Sequence, residues 1–398
     1  MAHEATIKDK PVILQVLPAM KSGGVERGTI EIAGAISRAG WTSLVASEGG
    51  PLVRQLVYVK AEHLELPLAT KSPLGIWNNA GLLEQVIREY KVSLIHARSR
   101  APAWSAYIAA KRTGIPFVTT FHGVYKTEGF GKKWYNGVML RGNRVITTSQ
   151  FITEHVLETY QPPVEKLRLI PRGVDGHIFH PAVTSPHRLT ELVKQWRVPD
   201  DVPVLLMPGR ITRWKGHELM IEALKELKNE RFLCLFVGDG EQHPKYRKEL
   251  EDKILDAGLG EKIRFVGATP FIAEAYMLAH AVACPSIEPE AFGRVAVEAQ
   301  AMGRPVIATA HGGAMETVVD GATGWLVTPG DPLALAEALR NALKLSEEQR
   351  ANMGLAAMQH VHANFSADLM CDRTMMVYEE LLNLGHSAIP EAAETIAA

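Results

Sequence analysis

The chain has little cysteine, and its three, Cys234, Cys284 and Cys371, are odd in number and far apart. They form neither a metal-ligand spacing nor a disulfide framework, which suits a reducing compartment. No apolar run is long enough to span a bilayer. The first residues, His3, Glu4, Lys8, Asp9 and Lys10, are polar where a secretory signal would have an apolar core. The glycine fingerprint of dinucleotide binding, Gly-x-Gly-x-x-Gly, is missing from the first strand-to-helix turn. After Gly238-Asp239-Gly240, His243 stands where a third glycine belongs, which disfavours a nicotinamide-dependent dehydrogenase. There is no Asp-x-Asp at a strand end and no His/Cys cluster to hold a metal. Together these absences predict a soluble cytoplasmic protein with no metal and no resident cofactor.

With 398 residues the chain suits two domains, and 46% hydrophobic with 22% charged residues is an ordinary globular composition. The net charge of -1 hides an asymmetry, because residues 1–150 sum to +9 and the remainder to -10. A basic front half points to an anionic partner or surface, or else to a solvated basic face.

Short apolar or β-branched runs alternate with helical stretches. Strands are expected at Val12–Leu17, Ser43–Ala46, Ser93–His96, Phe117–Thr120 and Val145–Thr148. Helices fall between them, among them Gly75–Tyr90, Ala101–Thr113 and Phe151–Tyr160. A polar, proline-bearing stretch from Pro171 to about Asp201 reads as a linker. The alternation then resumes with strands at Val204–Met207, Phe232–Val237, Ile263–Val266, Ala281–Cys284 and Val306–Ala308. This pattern predicts an α/β fold of two Rossmann-like domains, each a parallel sheet with covering helices, separated by a cleft.

The most informative segment is Pro289-Glu290-Ala291-Phe292-Gly293-Arg294-Val295-Ala296-Val297-Glu298, which runs on to Gly303-Arg304-Pro305. Two glutamates stand eight positions apart across a loop-to-helix junction, and Phe292-Gly293 let backbone approach a ligand. A helix N-terminus there favours an anion such as phosphate, and carboxylates suit sugar hydroxyls because each oxygen accepts hydrogen bonds. Phosphate at the helix tip with hydroxyls around it describes a nucleotide-sugar. Upstream, Gly209-Arg210-Ile211-Thr212-Arg213-Trp214-Lys215-Gly216 ends a strand and opens a helix, so Arg210 and Lys215 can reach a diphosphate. Gly23 and Gly24 form a permissive turn after the first strand, and Gly312 and Gly313 form another after the strand at Val306. Glu316 reads as a cap for the helix that follows. His122 ends a first-domain strand, where ligands of open α/β sheets gather. His96 and Arg98 end another, and they either line an acceptor or pack the fold.

The Glu-x7-Glu segment resembles the signature of the retaining family 4 glycosyltransferases of GT-B architecture, and Gly-Arg-x4-Lys-Gly resembles the element that opens their second domain. The resemblance spans about residues 11–385. It implies that Glu290 touches the donor sugar and Glu298 the ribose. It also implies that Arg210 and Lys215 neutralise the diphosphate and that His122 faces the sugar across the cleft. Gly23, Gly24, Phe292, Gly293, Gly312 and Gly313 complete the donor site, with His96 and Arg98 on the acceptor side. The expected domains are 1–185 on the acceptor side and 186–366 for the nucleotide-sugar. A C-terminal helix at about 367–385 crosses back to the first domain, and a flexible tail fills 386–398.

In detail, Gly23-Gly24-Val25-Glu26-Arg27-Gly28, His96 to Trp104, Thr119 to Gly123 and Arg210 to Gly216 resemble a bacterial branch of family 4 associated with lipopolysaccharide core assembly. This resemblance implies a mannosyltransferase that uses GDP-mannose or a UDP-sugar and a glycolipid or core-oligosaccharide acceptor. Lys126 to Arg144 mixes Lys132, Lys133, Arg141 and Arg144 with Phe130, Trp134, Tyr135, Met139 and Leu140. Such a basic, aromatic helix suits an anionic membrane at the inner face of the cytoplasmic membrane, or serves as an ordinary amphipathic core helix. No nucleic-acid partner is expected. The alternatives are a nucleotide-sugar epimerase on the same fold and a non-catalytic nucleotide-sugar sensor.

Overall fold

The computed structural model describes residues 10–21, 23–241 and 243–384 and divides into two compact units. The first contains the described residues up to Thr148, Thr153–Ile170 and those from Met370 onward. The second contains Ser149–Ile152 and Pro171–Leu369.

The first unit is built on a parallel sheet of β1 (Val12–Val16), β2 (Thr42–Ser47), β3 (Glu62–Glu65), β4 (Leu94–Ala97), β5 (Phe117–Phe121), β6 (Arg144–Thr147) and β7 (Leu167–Leu169). Its spatial order is β3-β2-β1-β4-β5-β6-β7. The second carries β8 (Val204–Pro208), β9 (Leu233–Val237), β10 (Ile263–Gly267), β11 (Ala281–Cys284), β12 (Val306–Thr309) and β13 (Gly324–Val327), in the order β10-β9-β8-β11-β12-β13. The central strands are buried along their length, as continuous runs such as Val204-Leu205-Leu206-Met207 require of a parallel sheet covered on both faces. Sequence reading missed β3, β7 and β13. All three are edge strands, and Glu62-His63-Leu64-Glu65 has no apolar run because it is half exposed.

One expected boundary differs. The chain enters the second unit at Pro171, not at 186, and the stretch read as a linker is folded. Ser185 caps the helix Pro186–Trp196 by accepting from the Arg188 N–H, and Val174, Phe179, Leu192 and Trp196 join the second core. Scattered among prolines and polar residues, these apolar side chains form no visible run. The C-terminal helix, Ala367–Leu381, does return to the first unit. Its Met370, Cys371, Met375, Val377 and Tyr378 pack with Ile13, Leu94, Val118 and Ile146. Glu380 pairs there with Arg144 and Arg168. The segment expected as a tail, 386–398, lies outside the described residues.

The basic, aromatic segment is also not one helix. It forms a five-residue helix, Lys132–Asn136, and a tighter turn, Gly137–Leu140, with Asn136, Val138 and Met139 buried. Phe130, Lys132, Lys133 and Trp134 stay exposed, and Trp134 stacks on Trp104 with centroids 4.5 Å apart. Among the described residues, no helix is long and apolar enough to cross a membrane.

Both sheets reverse direction beside their first strand, and ligands of open α/β sheets bind at such a switch point, outside the carboxyl ends of the strands. In the first unit that place lies between β1 and β4, and in the second between β8 and β11.

Candidate functional site

The second unit's switch point gathers the two basic and acidic elements singled out from sequence. The loop after β8 carries Gly209-Arg210 and a short turn, Arg213–Lys215, before the helix His217–Lys225. The loop after β11 carries Ser286 to Gly293. Gly216 adopts φ 81°, and a Cβ there would overlap the Pro285 carbonyl, so only glycine lets the two loops touch. The Ile287 N–H donates to the Trp214 carbonyl at 2.8 Å and fixes their register.

On this scaffold Lys215 Nζ donates to Glu290 Oε1 at 2.8 Å, and Ser286 Oγ donates to the same oxygen at 2.5 Å. The side chains of Lys215 and Glu290 are 13% and 19% exposed, so the pair is shielded yet within reach of a ligand. Lys215 also lies 4.4 Å over the Trp214 ring. Arg210 is exposed at the same strand end. Arg213 turns away to pair with Glu249 over the Tyr246 ring. The adjoining pocket is walled by Ser286, Glu290, Gly293, Thr309, His311 and Ala314. His311 Nε2 sits 2.8 Å from the Ser286 carbonyl and 3.0 Å from Thr309 Oγ1. Cys284 also lines this pocket. Burial, with the Glu290 carboxylate adding to it, pushes its thiol up to about 12, so it stays protonated and unreactive.

Gly293, at φ 81°, caps the helix Arg294–Ala301. One turn in, Glu298 is buried; its Oε2 accepts from the Tyr276 hydroxyl at 3.0 Å and its Oε1 from Arg294 Nε at 2.8 Å. Gly312 and Gly313 brace the Glu290 loop. The Gly313 N–H donates to the Glu290 carbonyl at 2.8 Å, and a Cβ on Gly312 would meet Pro289 and Glu290 backbone. Phe292 points into the second core, edge-on to Phe365 at 5.6 Å, so it can meet a donor only through its backbone. Glu316 caps a helix, but not the one that follows it: its carboxylate accepts from the Gln150 and Phe151 N–H groups at 2.7 and 2.8 Å.

The first unit treats its polar residues differently. Gly23, at φ 146°, precedes the helix Gly24–Arg38 in the loop after β1, and His122 follows β5 half buried. His96 is fully buried. Its Nδ1 lies 2.6 Å from the Tyr378 hydroxyl and its Nε2 2.7 Å from Thr120 Oγ1. Burial, then the nearby Arg98, holds its pKa well below the ordinary value, so the ring is neutral. Arg98 is 5% exposed and its Nη1 reaches Gln15 Oε1 at 3.4 Å. Both are bonded within the packing of the fold, as the second of the two readings of their strand-end position expects.

Of the residues expected from sequence, Arg210, Lys215, Glu290 and Gly293 stand on the two loops of this switch point, Glu298 on the helix that follows, and Lys215 and Glu290 are in contact. The sequence expectation assigned no role to Ser286, His311, Tyr276 or Arg294. Position at a strand end could have found Ser286, and i,i+4 spacing could have found Arg294 beside Glu298. Among the described residues no group of three His, Cys, Asp or Glu is placed to hold a metal.

Comparisons with known proteins agree with this arrangement. Residues 22–177 match the family described as Glycosyltransferase Family 4, and residues 190–360 the one described as Glycosyl transferases group 1. A solved glycosyltransferase from Rickettsia africae is 42% identical with a TM-score of 0.87, over 94% of this chain and 99% of that one. An Anabaena protein solved in complex with UDP-glucose is 26% identical with a TM-score of 0.80, over 93% of this chain and 99% of that one. A curated relative, the D-inositol 3-phosphate glycosyltransferase of Xylanimonas cellulosilytica, is 29% identical over 286 residues, 66% of each chain.

Proposed function

We propose a donor, a stereochemical course and residue roles for this chain, which belongs to the GT-B glycosyltransferases of the group 1 and family 4 type. The reaction is transfer of a hexose from a nucleoside diphosphate sugar to a hydroxyl of a saccharide or polyol acceptor, with retention at the anomeric carbon. The observation that carries this reading is the Lys215–Glu290 pair, shielded at the switch point beside the Gly293 helix end. A cation and a carboxylate that hold each other can be separated by a ligand that supplies both an anion and hydroxyls. A nucleoside diphosphate sugar does this, its diphosphate taking Lys215 and its sugar hydroxyls taking Glu290.

Chemistry follows from those placements. As the bond from the anomeric carbon to the diphosphate oxygen breaks, negative charge grows on the departing phosphate. Lys215, Arg210 and the N–H groups of the Gly293 helix end stabilise that charge without a metal. Preorganised charges of this kind are usually the largest catalytic contribution. Retention by a glycosidase route needs a carboxylate nucleophile with an acid opposite. Glu290 is not placed as that nucleophile, because in this reading its oxygens are taken by the sugar hydroxyls and by Ser286, which bonds its Oε1. The acceptor hydroxyl therefore attacks on the face the diphosphate leaves, and its proton passes to the departing phosphate oxygen. His122 takes the sugar-facing role that the family resemblance implies.

For the finer identity, the sequence favours mannose and a lipid-linked or lipopolysaccharide-core acceptor at an anionic membrane surface. Exposed Phe130, Trp134, Lys132 and Lys133 support such a surface. A phosphorylated polyol is the competing acceptor class, given the name of the curated relative, and the +9 charge of residues 1–150 suits either. The test is a product analysis with GDP-, UDP- and ADP-sugars, offered membrane lipid extract or inositol phosphate, with the new linkage read by NMR. A glycoside with the donor's anomeric configuration supports the proposal. An inverted product, an epimerised donor or saturable binding without any product would each overturn it.

A further inference from the structure

Glu298 is held more tightly than a carboxylate that only waits for a ligand. Each of its two oxygens accepts a hydrogen bond, Oε2 from the Tyr276 hydroxyl and Oε1 from Arg294 Nε. Tyr276 is fully buried on the helix Ile272–Leu278, which follows the carboxyl end of β10. Arg294 is the first residue of the helix that carries Glu298, four positions away. The carboxylate is fastened to its own helix and to a neighbouring one.

We infer that Tyr276 and Arg294 are positioning residues that aim Glu298 at the donor's ribose. The inference rests on the ribose role of Glu298 and adds two residues to it. A carboxylate accepts several hydrogen bonds, so two fixed donors set its plane and leave it able to accept ribose hydroxyls. Burying a carboxylate close to an incoming diphosphate would repel the donor, and the Arg294 guanidinium cancels that charge at its source. Burial, with the adjacent Glu298 carboxylate reinforcing it, holds the Tyr276 hydroxyl well above its ordinary pKa, so it remains a donor at every working pH.

Direct binding distinguishes positioning from general support. The ligands are UDP and GDP and their 2′,3′-dideoxy counterparts, measured with wild type, Tyr276→Phe, Arg294→Met, Arg294→Lys and Glu298→Gln. A hydrogen bond to a charged group corresponds to a preference for ribose of about tenfold or more in the wild type. The expected result is that Tyr276→Phe and Arg294→Met compress this preference several-fold by weakening only the ribose ligand, and that Arg294→Lys restores part of it. Glu298→Gln should abolish most of it. If both substitutions lower melting temperature or weaken all ligands equally while the ribose preference is unchanged, Tyr276 and Arg294 only support the fold and the inference fails. If the wild type shows no ribose preference, or Glu298→Gln keeps it, the ribose role of Glu298 fails first and takes the inference with it.

Discussion

The two units use the same strand order at their centres, yet they treat charge at the switch point in opposite ways. In the first, the polar residues near β1 and β4 are sealed: His96 lies between Tyr378 and Thr120, and Arg98 leans on Gln15. In the second, Lys215 and Glu290 hold each other at the rim of a pocket where solvent still reaches both. Topology gives both units a place for a ligand, but only residue chemistry decides whether that place is reactive. A buried, fully bonded network specifies structure. A shielded ion pair at the rim of a pocket can exchange partners.

That contrast can be broken in order of expected effect. Lys215→Ala removes the shielded cation of the second unit and should lower turnover on the order of 100-fold, equivalent to about 3 kcal/mol of barrier, by analogy with loss of one preorganised donor. Steady-state kinetics would show it, and a loss under threefold would mean the diphosphate charge is met elsewhere. Glu290→Gln should lose most turnover as well, but with nucleotide affinity preserved, because its role is with the sugar.

In the first unit the same kind of change should act on stability instead. Tyr378→Phe strands His96 Nδ1 in a dry interior, at a cost of about 1–3 kcal/mol. Thermal melting should register this loss while the donor KM stays within twofold. A raised KM with unchanged melting would place the network in the active site after all.

The smallest effect lies in the core of the second unit. His217, fully buried and edge-on to Phe236, has its pKa lowered to about 4, chiefly by burial. The unfolded chain therefore binds the extra proton below its ordinary value of 6.5. The stabilisation is complete above that value and is lost as pH falls toward 4, at most about 1.4 kcal/mol per pH unit. Melting temperature should decline over that window, and His217→Leu should make the decline shallower.

Much of this was legible in the sequence because the reactive groups sit in local motifs. Gly-Arg-x4-Lys-Gly and Glu-x7-Glu each place their side chains within one loop and one helix start, so the spacing locates the groups and the family it resembles implies their roles. Strands buried on both faces announce themselves as short apolar runs. What stayed hidden depends on contacts that only the fold creates. Tyr276 meets Glu298 from another helix, and Ser286 meets Glu290 through the conformation of the irregular loop that carries both. His96 and Tyr378 are joined across nearly the whole chain, so a lone strand-end histidine could not be told from a ligand-facing one. The unit boundary was misplaced for a related reason: Val174 and Phe179 belong to the second core but lie in a stretch that reads as polar.

The most direct test of the central claim, that Lys215 and Glu290 are a pair the donor separates, is the affinity of the nucleoside diphosphate product for wild type, Lys215→Ala and Glu290→Gln. The account predicts opposite signs. Lys215→Ala should bind the diphosphate at least about tenfold more weakly, the size of one charged hydrogen bond. Glu290→Gln should bind it as tightly as wild type or more tightly, because Lys215 no longer has a competing carboxylate. If both substitutions weaken binding by similar factors, the pair is a structural unit that the ligand leaves intact, and the proposed exchange of partners is wrong.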